Sequence, residues 1–315
     1  MEIRAMISNF HPPAPVRYLA AVRFQKITLV GVGLLGGSLG LAIKQRRLAG
    51  EVAGYVRRAA SIAECEKFAA TDYTTTDLLA AVSGADLVIL CTPLAQMRAL
   101  VQQLQPALKR GAIVTDVGSV KASVVRDLEK LVHQAGAHFI GSHPMAGAEK
   151  TGVAAARADL FAGAMCVVTP TKKSSPAALR KVEQFWKALG SRVLRLTPGQ
   201  HDALVSRSSH LPHVTAAALA IFILNPAHPP AQTALCANGF RDTTRVASGS
   251  PEMWRDIALA NRENLAESVD SLIGELEKFQ RALKARNEKA ITKFFETAKQ
   301  RRDAWCACGT SPSSE

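Results

Sequence analysis

The chain has 315 residues, of which 48% are hydrophobic, 21% charged and 5% aromatic. This balance is typical of globular proteins and excludes collagen-like chains, disordered chains and small disulfide-bonded scaffolds. The length corresponds to about two domains. The net charge of +13 suits anionic small molecules as ligands; a solvated basic helix explains it equally well, and nucleic-acid binding is the weaker alternative.

The chain ends and the cysteines bear on the location of the protein. Residues 1–23 lack the compact apolar core of a signal peptide, and we expect a disordered leader there and a disordered tail over 305–315. The six cysteines form no disulfide framework. The longest apolar run, Val214–Leu224, is shorter than the roughly 18 residues that a membrane span needs. We therefore expect a cytoplasmic protein that does not bind membranes.

Between residues 24 and 198, short apolar runs alternate with amphipathic stretches of helical length. This alternation indicates βαβ units and a parallel sheet. The predicted strands are Lys26–Gly31, Val52–Val56, Leu87–Cys91, Ile113–Val117, His138–Ile140, Met165–Thr169 and Arg192–Leu196. The predicted helices between them include Ser38–Arg47, Met97–Leu108 and Lys121–Gln134.

After Gly199 the pattern is helical throughout. Helices are predicted over His201–Leu224, Ala231–Val246, Glu252–Lys284 and Asn287–Arg302. The sequence therefore predicts an α/β domain over 24–198, followed by an all-helical domain over 199–304. A domain of roughly 100 residues is small for burying several long helices, so we expect this domain to carry a dimer contact.

A glycine-rich loop joins the first predicted strand to the first predicted helix. Its GxGxxG spacing permits a tight turn, a close approach of a pyrophosphate and close packing of helix on strand. The helix N-terminus then offers free N–H groups to phosphate. The loop predicts a Rossmann-type dinucleotide-binding domain. The residues that we expect to contact the cofactor are Gly31, Gly33, Leu34, Leu35 and Gly36, with Thr92 and Pro93 after the strand Leu87–Cys91.

The end of the second strand bears on the choice between NAD and NADP. An NAD site usually places an acidic residue there to accept from the ribose 2′-hydroxyl. This chain has Arg57 and Arg58 instead, with no acidic residue before Glu64. Guanidinium groups bind a 2′-phosphate, so we expect NADP to be preferred. If the two arginines only stack on the adenine, NAD also serves.

Two further segments end predicted strands where an α/β sheet binds ligands. These segments are Asp116–Lys121, which contains Ser119, and Gly141–Glu149, which contains His143. We expect His143 to lie in a loop directly after its strand, where a histidine can accept a proton from a substrate hydroxyl as hydride leaves the same carbon. The hydroxyl of Ser119 and the carboxylate of Glu149 could orient the imidazole.

With these motifs, the sequence resembles the prephenate/arogenate dehydrogenase family, the oxidative branch of tyrosine biosynthesis. The resemblance extends from about Phe24 to Ala304. It rests on five segments in the order of the family: Gly31–Ser38, Asp116–Lys121, Ser142–Gly147 with Glu149, Ser209–His213 and Gly239–Arg245. It implies a nucleotide-binding α/β domain followed by a helical domain that forms a homodimer. It also implies oxidative decarboxylation of prephenate to 4-hydroxyphenylpyruvate, or of arogenate to tyrosine, and we favour prephenate.

The resemblance also implies roles for individual residues. His143 matches the catalytic histidine that takes the proton of the ring 4-hydroxyl, and Ser119 matches the serine bonded to that histidine. Arg245 matches the arginine that binds a substrate carboxylate. The other matches lie in the substrate pocket: His213, Asp242, Trp254 and Glu149.

Two alternatives remain open at this stage. A β-hydroxyacid or imine reductase shares the layout, but such enzymes usually depend on a lysine of the helical domain, and none lies between Lys187 and Lys278. A non-catalytic NADP-sensing or nucleic-acid-binding protein would explain the charge, but the low aromatic content and the absence of a nucleic-acid module disfavour it. His210 and His213 are separated by Pro212 and lack accompanying ligands, so no metal is expected.

Overall fold

The structure is a computed structural model that describes residues 22–147 and 151–309. Within these residues, one eight-stranded sheet has the order β3-β2-β1-β4-β5-β6-β7-β8. The strands are β1 Phe24–Val30, β2 Ala49–Tyr55, β3 Tyr73–Thr75, β4 Leu87–Leu90, β5 Ile113–Asp116, β6 His138–Pro144, β7 Met165–Thr169 and β8 Arg192–Arg195. The strands from β3 to β6 are parallel, as predicted for a Rossmann-type domain.

Helices connect the strands and then form the rest of the chain. Those among the strands are α1 Leu34–Gln45, α2 Ala60–Lys67, α3 Leu78–Val82, α4 Leu94–Leu104, α5 Ala122–Gln134 and α6 Pro176–Ala188. Those after β8 are α7 Pro198–Val205, α8 Leu211–Ile223, α9 Pro230–Ala234, α10 Asn238–Thr244, α11 Pro251–Ala260, α12 Arg262–Lys284 and α13 Glu288–Gly309. Among the described residues, no helix has both the length and the apolar character needed to cross a membrane.

Both faces of the sheet are covered by apolar side chains. Successive strand residues point to opposite faces. Accordingly, Leu87 and Ile89 of β4 join one buried cluster, while Val88 and Leu90 join the other. Burial on both faces explains why these strands are continuous apolar runs in the sequence.

The sheet departs from the prediction at β6. This strand pairs with β7 in antiparallel register, with His143 opposite Val167. The pairing extends β6 to Pro144, well beyond the predicted end at Ile140. The expectation that His143 lies in a loop is therefore wrong. The histidine is part of the strand, and the ladder with β7 fixes its backbone.

The helical region is more broken than predicted. A π-helical turn, Ser206–His210, separates α7 from α8. The predicted helix 231–246 consists of α9, α10 and the 3-10 turn Arg245–Ser248. The predicted helix 252–284 is interrupted at Asn261, which ends α11. At the end of the chain, α13 continues to Gly309, so residues 305–309 are helical where a disordered tail was expected.

The described residues form two compact units that divide at residue 266, within α12. The domain boundary expected near residue 198 stays a prediction. The larger unit contains the sheet and the helices as far as Ala266. The smaller one contains most of α12 together with α13, which meet through Phe279 and Phe294 with ring centroids 4.7 Å apart. The expected leader 1–23 lies outside the described residues except for Val22 and Arg23.

Candidate active site

The glycine-rich loop has the geometry that a dinucleotide needs. Gly31 has a φ of +100°, which favours glycine. A side-chain carbon at Gly36 would lie 2.0 Å from the carbonyl oxygen of Gly31, so α1 can approach β1 only with glycine there. At Gly33, such a carbon would meet no described atom within 4 Å beyond its chain neighbours. The loop is thus open at Gly33, where a pyrophosphate would approach.

The end of β4 adds a polar group beside this loop. Thr92 directly follows Cys91 and would touch a side chain at Gly31 at 3.0 Å. Its Oγ1 is buried and has no hydrogen-bond partner among the described residues. A buried hydroxyl without a partner costs free energy unless a ligand satisfies it. Pro93 is the N-cap residue of α4 and is exposed, whereas Leu34 and Leu35 are half-buried in the first turn of α1.

The end of β2, where the sequence predicts the ribose of the cofactor, is basic. Arg57 and Arg58 follow β2 and are exposed, and their side chains form no ion pair within the described part of the chain. Val56, at the position where an NAD site would place its carboxylate, is an apolar side chain that is 6% exposed. The described residues that directly follow β2 therefore offer two guanidinium groups and no carboxylate before Glu64.

A buried ion pair joins the carboxyl ends of β5 and β6. Asp116 and Lys121 are both completely buried, and Lys121 Nζ donates to the Asp116 carboxylate. The same ammonium donates to the backbone oxygen of Ser142 at 2.9 Å. Asp116 Oδ1 in turn accepts from the backbone N–H of Ser142 at 3.1 Å. These bonds fix the backbone directly before His143.

His143 begins a chain of hydrogen bonds that ends at a carboxylate. Its Nδ1 lies 2.8 Å from Nε2 of His201, and Nδ1 of His201 lies 2.7 Å from Oδ1 of Asp202. His201 is completely buried, Asp202 is 2% exposed, and His143 is 7% exposed. Within the described residues, the ring of His143 thus bonds to His201. No hydrogen bond joins that ring to Ser119, the residue that the resemblance pairs with it.

Burial sets the charge of these histidines. The pKa of His143 lies well below 6.5, chiefly because burial disfavours the cation, with further lowering from His201, Lys121 and His210. Burial also lowers the pKa of His201, although Asp202 opposes the shift. Both rings are therefore neutral at physiological pH.

The π-helical turn brings a third buried histidine to the cluster. His210 Nδ1 lies 3.2 Å from Nδ2 of Asn261, which also donates to the backbone oxygen of Asp202 at 2.9 Å. His210 Nε2 is buried with no hydrogen-bond partner among residues 22–147 and 151–309. Burial lowers the pKa of His210 to about 4. The break between α11 and α12 therefore places Asn261 where it links two parts of the cluster.

The residues expected to bind substrate fall into two groups. His213 stacks on Trp254 with ring centroids 3.8 Å apart, and Trp254 also contacts His210 edge-on at 6.1 Å. Asp242 and Arg245 lie on the exposed segment after α9, and Arg245 lines an open groove of about 550 Å³ with Arg241. Glu149 lies outside the described residues. Among the described residues, no group of three or more His, Cys, Asp or Glu side chains is arranged to hold a metal.

Four polar residues of this site were given no role from the sequence. They are His201, Asp202, Lys121 and Asn261, and all four are buried. Three of them are ionisable residues in otherwise apolar or small-residue stretches, which is a signal that the sequence contains. The partner of each is distant along the chain, so the pairing itself is visible only in the fold.

Comparison with known proteins gives the family. A family model described as the nucleotide-binding domain of prephenate dehydrogenase matches residues 39–195, and one described as its dimerization domain matches residues 197–300. The chain is 34% identical over 283 residues to prephenate dehydrogenase of Bacillus subtilis, covering 88% of this chain and 75% of that protein. It is 32% identical to cyclohexadienyl dehydrogenase of Zymomonas mobilis, covering 89% of this chain and 95% of that protein.

A solved structure is similar over the same length. It is that of prephenate dehydrogenase from Aquifex aeolicus in complex with hydroxyphenyl propionate and NAD+, with a TM-score of 0.83 and 31% sequence identity. The similarity covers 89% of this chain and 98% of that chain. The two matched regions together span most of the sequence, so this chain belongs to the prephenate dehydrogenase family of oxidoreductases.

Proposed function

We propose that this enzyme oxidises prephenate at the ring carbon that bears the hydroxyl, with loss of CO2, and that His143 is the proton acceptor. The observation that carries the proposal is a buried, neutral histidine at the carboxyl end of β6, on the sheet edge where β1 leads into the glycine loop. Open α/β sheets bind their ligands at this edge. The solved relative with NAD+ and hydroxyphenyl propionate supports both ligand classes.

The residues of the chain have two tasks in this reaction. The glycine loop after β1 would hold the oxidised nicotinamide nucleotide, which would supply the acceptor for the hydride of the hydroxyl-bearing carbon. His143 takes the hydroxyl proton, which its neutral ring can accept. Because loss of CO2 then leaves an aromatic ring, the protein need only orient the groups and stabilise charge.

Substrate binding is assigned to the helical region. Prephenate carries two carboxylates, and a guanidinium group binds a carboxylate through two parallel hydrogen bonds. We assign this role to Arg245, which lines an open groove of about 550 Å³. His213 and Trp254 form a stacked aromatic wall for the ring, and Ser119, Asp242 and Glu149 are proposed to complete the pocket.

A substitution at the proton acceptor tests the proposed function. His143→Asn removes the basic nitrogen, and we expect kcat to fall by on the order of 10²–10⁴-fold, with cofactor binding retained. The matched control is His138→Asn at the opposite end of β6, which should leave kcat unchanged. Assays with prephenate and with arogenate compare the two substrates, and we expect the higher kcat/KM with prephenate. A folded His143→Asn enzyme with wild-type kcat would contradict the proposal.

We further propose that NADP is preferred over NAD. Support comes from the exposed Arg57 and Arg58 and from the apolar Val56 in place of a carboxylate. A 2′-phosphate gains charge-assisted hydrogen bonds from guanidinium groups.

The assembly and the location are also proposals. A homodimer formed through the helical region is supported by the match of residues 197–300 to a dimerization domain. A cytoplasmic location is supported by the free thiols of Cys65, Cys91, Cys166 and Cys236, since reducing compartments keep cysteines in this state.

A further inference from the structure

We propose that His201 and Asp202 are positioning residues that hold the proton of His143 on Nδ1 and thereby leave its Nε2 as the proton acceptor. The inference rests on the proposed role of His143. It follows from the buried chain of hydrogen bonds His143–His201–Asp202, read from the carboxylate towards the active site.

At Asp202, the direction of the hydrogen bonds is fixed: the carboxylate accepts them. Asp202 Oδ1 accepts from the backbone N–H of Lys121 at 2.7 Å, and Oδ2 accepts from that of Ala122 at 2.8 Å. Two backbone donors at the N-terminus of α5 orient the carboxylate. A charged carboxylate can only accept hydrogen bonds. Therefore Nδ1 of His201, at 2.7 Å from Oδ1, must be the donor.

The position of the proton on His201 then determines the position of the proton on His143. A neutral imidazole has one N–H donor and one acceptor nitrogen. Since the N–H of His201 is on Nδ1, its Nε2 is the acceptor. The only group on that nitrogen among the described residues is Nδ1 of His143, at 2.8 Å, which must donate. His143 is left with a lone pair on Nε2, as a proton acceptor requires.

The same chain supports the charged state of His143 that proton transfer creates. After Nε2 has taken a proton, Nδ1–H still donates to His201, and no proton needs to move along the chain. The His143 cation then donates to Nε2 of the neutral His201, whose Nδ1 is bonded to the Asp202 carboxylate. An arrangement of this kind both selects a tautomer and stabilises the imidazolium. Because α7 supplies both positioning residues, the helical region completes the proton acceptor of the sheet.

The first test reads the tautomer in the wild-type enzyme. Protein labelled with ¹⁵N-histidine gives imidazole nitrogen signals that distinguish protonated from unprotonated nitrogens, and His143→Asn and His201→Gln assign the two residues. We expect Nδ1–H with unprotonated Nε2 for both rings at neutral pH. A His143 ring protonated on Nε2 would overturn the proposal, whatever the activity of the enzyme.

The second test uses two side chains of equal length. His201→Gln keeps a carbonyl acceptor for His143 Nδ1, whereas His201→Met has none. We expect the methionine variant to lose about 10- to 100-fold in kcat, the loss that is typical when the partner that orients a metal-ligating histidine is removed. The glutamine variant should regain most of this loss. KM for prephenate should change little in either variant, because residue 201 is not proposed to contact the substrate.

The outcomes separate this inference from the proposed function. If the wild-type enzyme oxidises prephenate but the two variants have equal kcat, or if only KM changes, the positioning role is wrong and the function stands. If the wild-type enzyme does not oxidise prephenate, the function fails, and the nitrogen signals still report the tautomer. Thermal melting and NADP binding of each variant show whether it is folded; if neither variant folds, the nitrogen signals of the wild-type enzyme decide alone.

Discussion

At the scale of the residue, burial determines which protonation state of His143 meets the substrate. Its pKa is held well below 6.5, first by burial and then by His201, Lys121 and His210. A lowered pKa means that the neutral, proton-accepting form persists as the pH falls through the range in which an exposed histidine becomes charged. As the pH is lowered through 6.5, we expect kcat/KM of the wild-type enzyme to stay constant. It should decline only at a pH well below 6.5, while the secondary structure is unchanged. A decline centred at or above that pH would contradict the burial argument.

The two arginines after β2 give a second prediction at this scale. Replacing Arg57 and Arg58 together by alanine removes the donors to a 2′-phosphate. We expect kcat/KM with NADP to fall by about 10-fold or more, the equivalent of roughly 1.4 kcal/mol or one charge-assisted hydrogen bond, and kcat/KM with NAD to change little. Arg110→Ala, three residues before the start of β5 and thus at the amino ends of the strands, is the control. Equal losses with both nucleotides would instead indicate that the arginines stack on the adenine.

At the scale of the element, one buried ion pair contributes to the contact between β5 and β6. Removing one partner leaves the other charge buried without compensation. We therefore expect Lys121→Met to lower the free energy of unfolding by about 3–5 kcal/mol in chemical denaturation. Lys109→Met is the control, since Lys109 pairs with Asp86 at the surface and is 52% exposed. That change should cost about 1 kcal/mol or less, and equal effects at both sites would refute the argument.

Local pattern explains which elements could be predicted. The strands are continuous apolar runs, and the glycine loop has a fixed spacing of glycines. Both can therefore be recognised from residues that are neighbours in the sequence. The π-helical turn at Ser206–His210 and the break at Asn261 have no such signature. They occur where Asn261 bonds both to His210 and to the backbone oxygen of Asp202, which lies 59 residues from Asn261. The residue types of the site were predictable, with the help of the family resemblance, whereas the partners of His143 required the fold.

At the scale of the whole molecule, exposed apolar side chains concentrate in the helical region. Of the seventeen large hydrophobic side chains exposed in the described residues, thirteen lie after residue 198. Ile221 on α8 is 74% exposed. Large apolar side chains that are exposed in such number are typical of proteins that bind a partner subunit.

An acidic substitution on this surface tests the proposed homodimer. We expect light scattering to give a dimer for the wild-type enzyme at micromolar concentration and a shift towards monomer for Ile221→Asp, because a charge would have to be buried without a partner. Leu79→Asp, on α3 beside the sheet, has a comparable side chain that is 46% exposed and should leave the mass unchanged. A wild-type monomer would refute the dimer.

The hydrogen bonds from α7 to β6 and α5 limit how this enzyme can recombine with its relatives. The two family regions meet between residues 195 and 197, so a hybrid protein would naturally be joined there. Such a junction takes His201 and Asp202 from one parent, and His143 with the backbone donors of α5 from the other. A junction placed after Asp202 keeps all of these groups from a single parent. Exchanging helical regions to alter substrate choice is therefore best done with α7 left attached to the nucleotide-binding part.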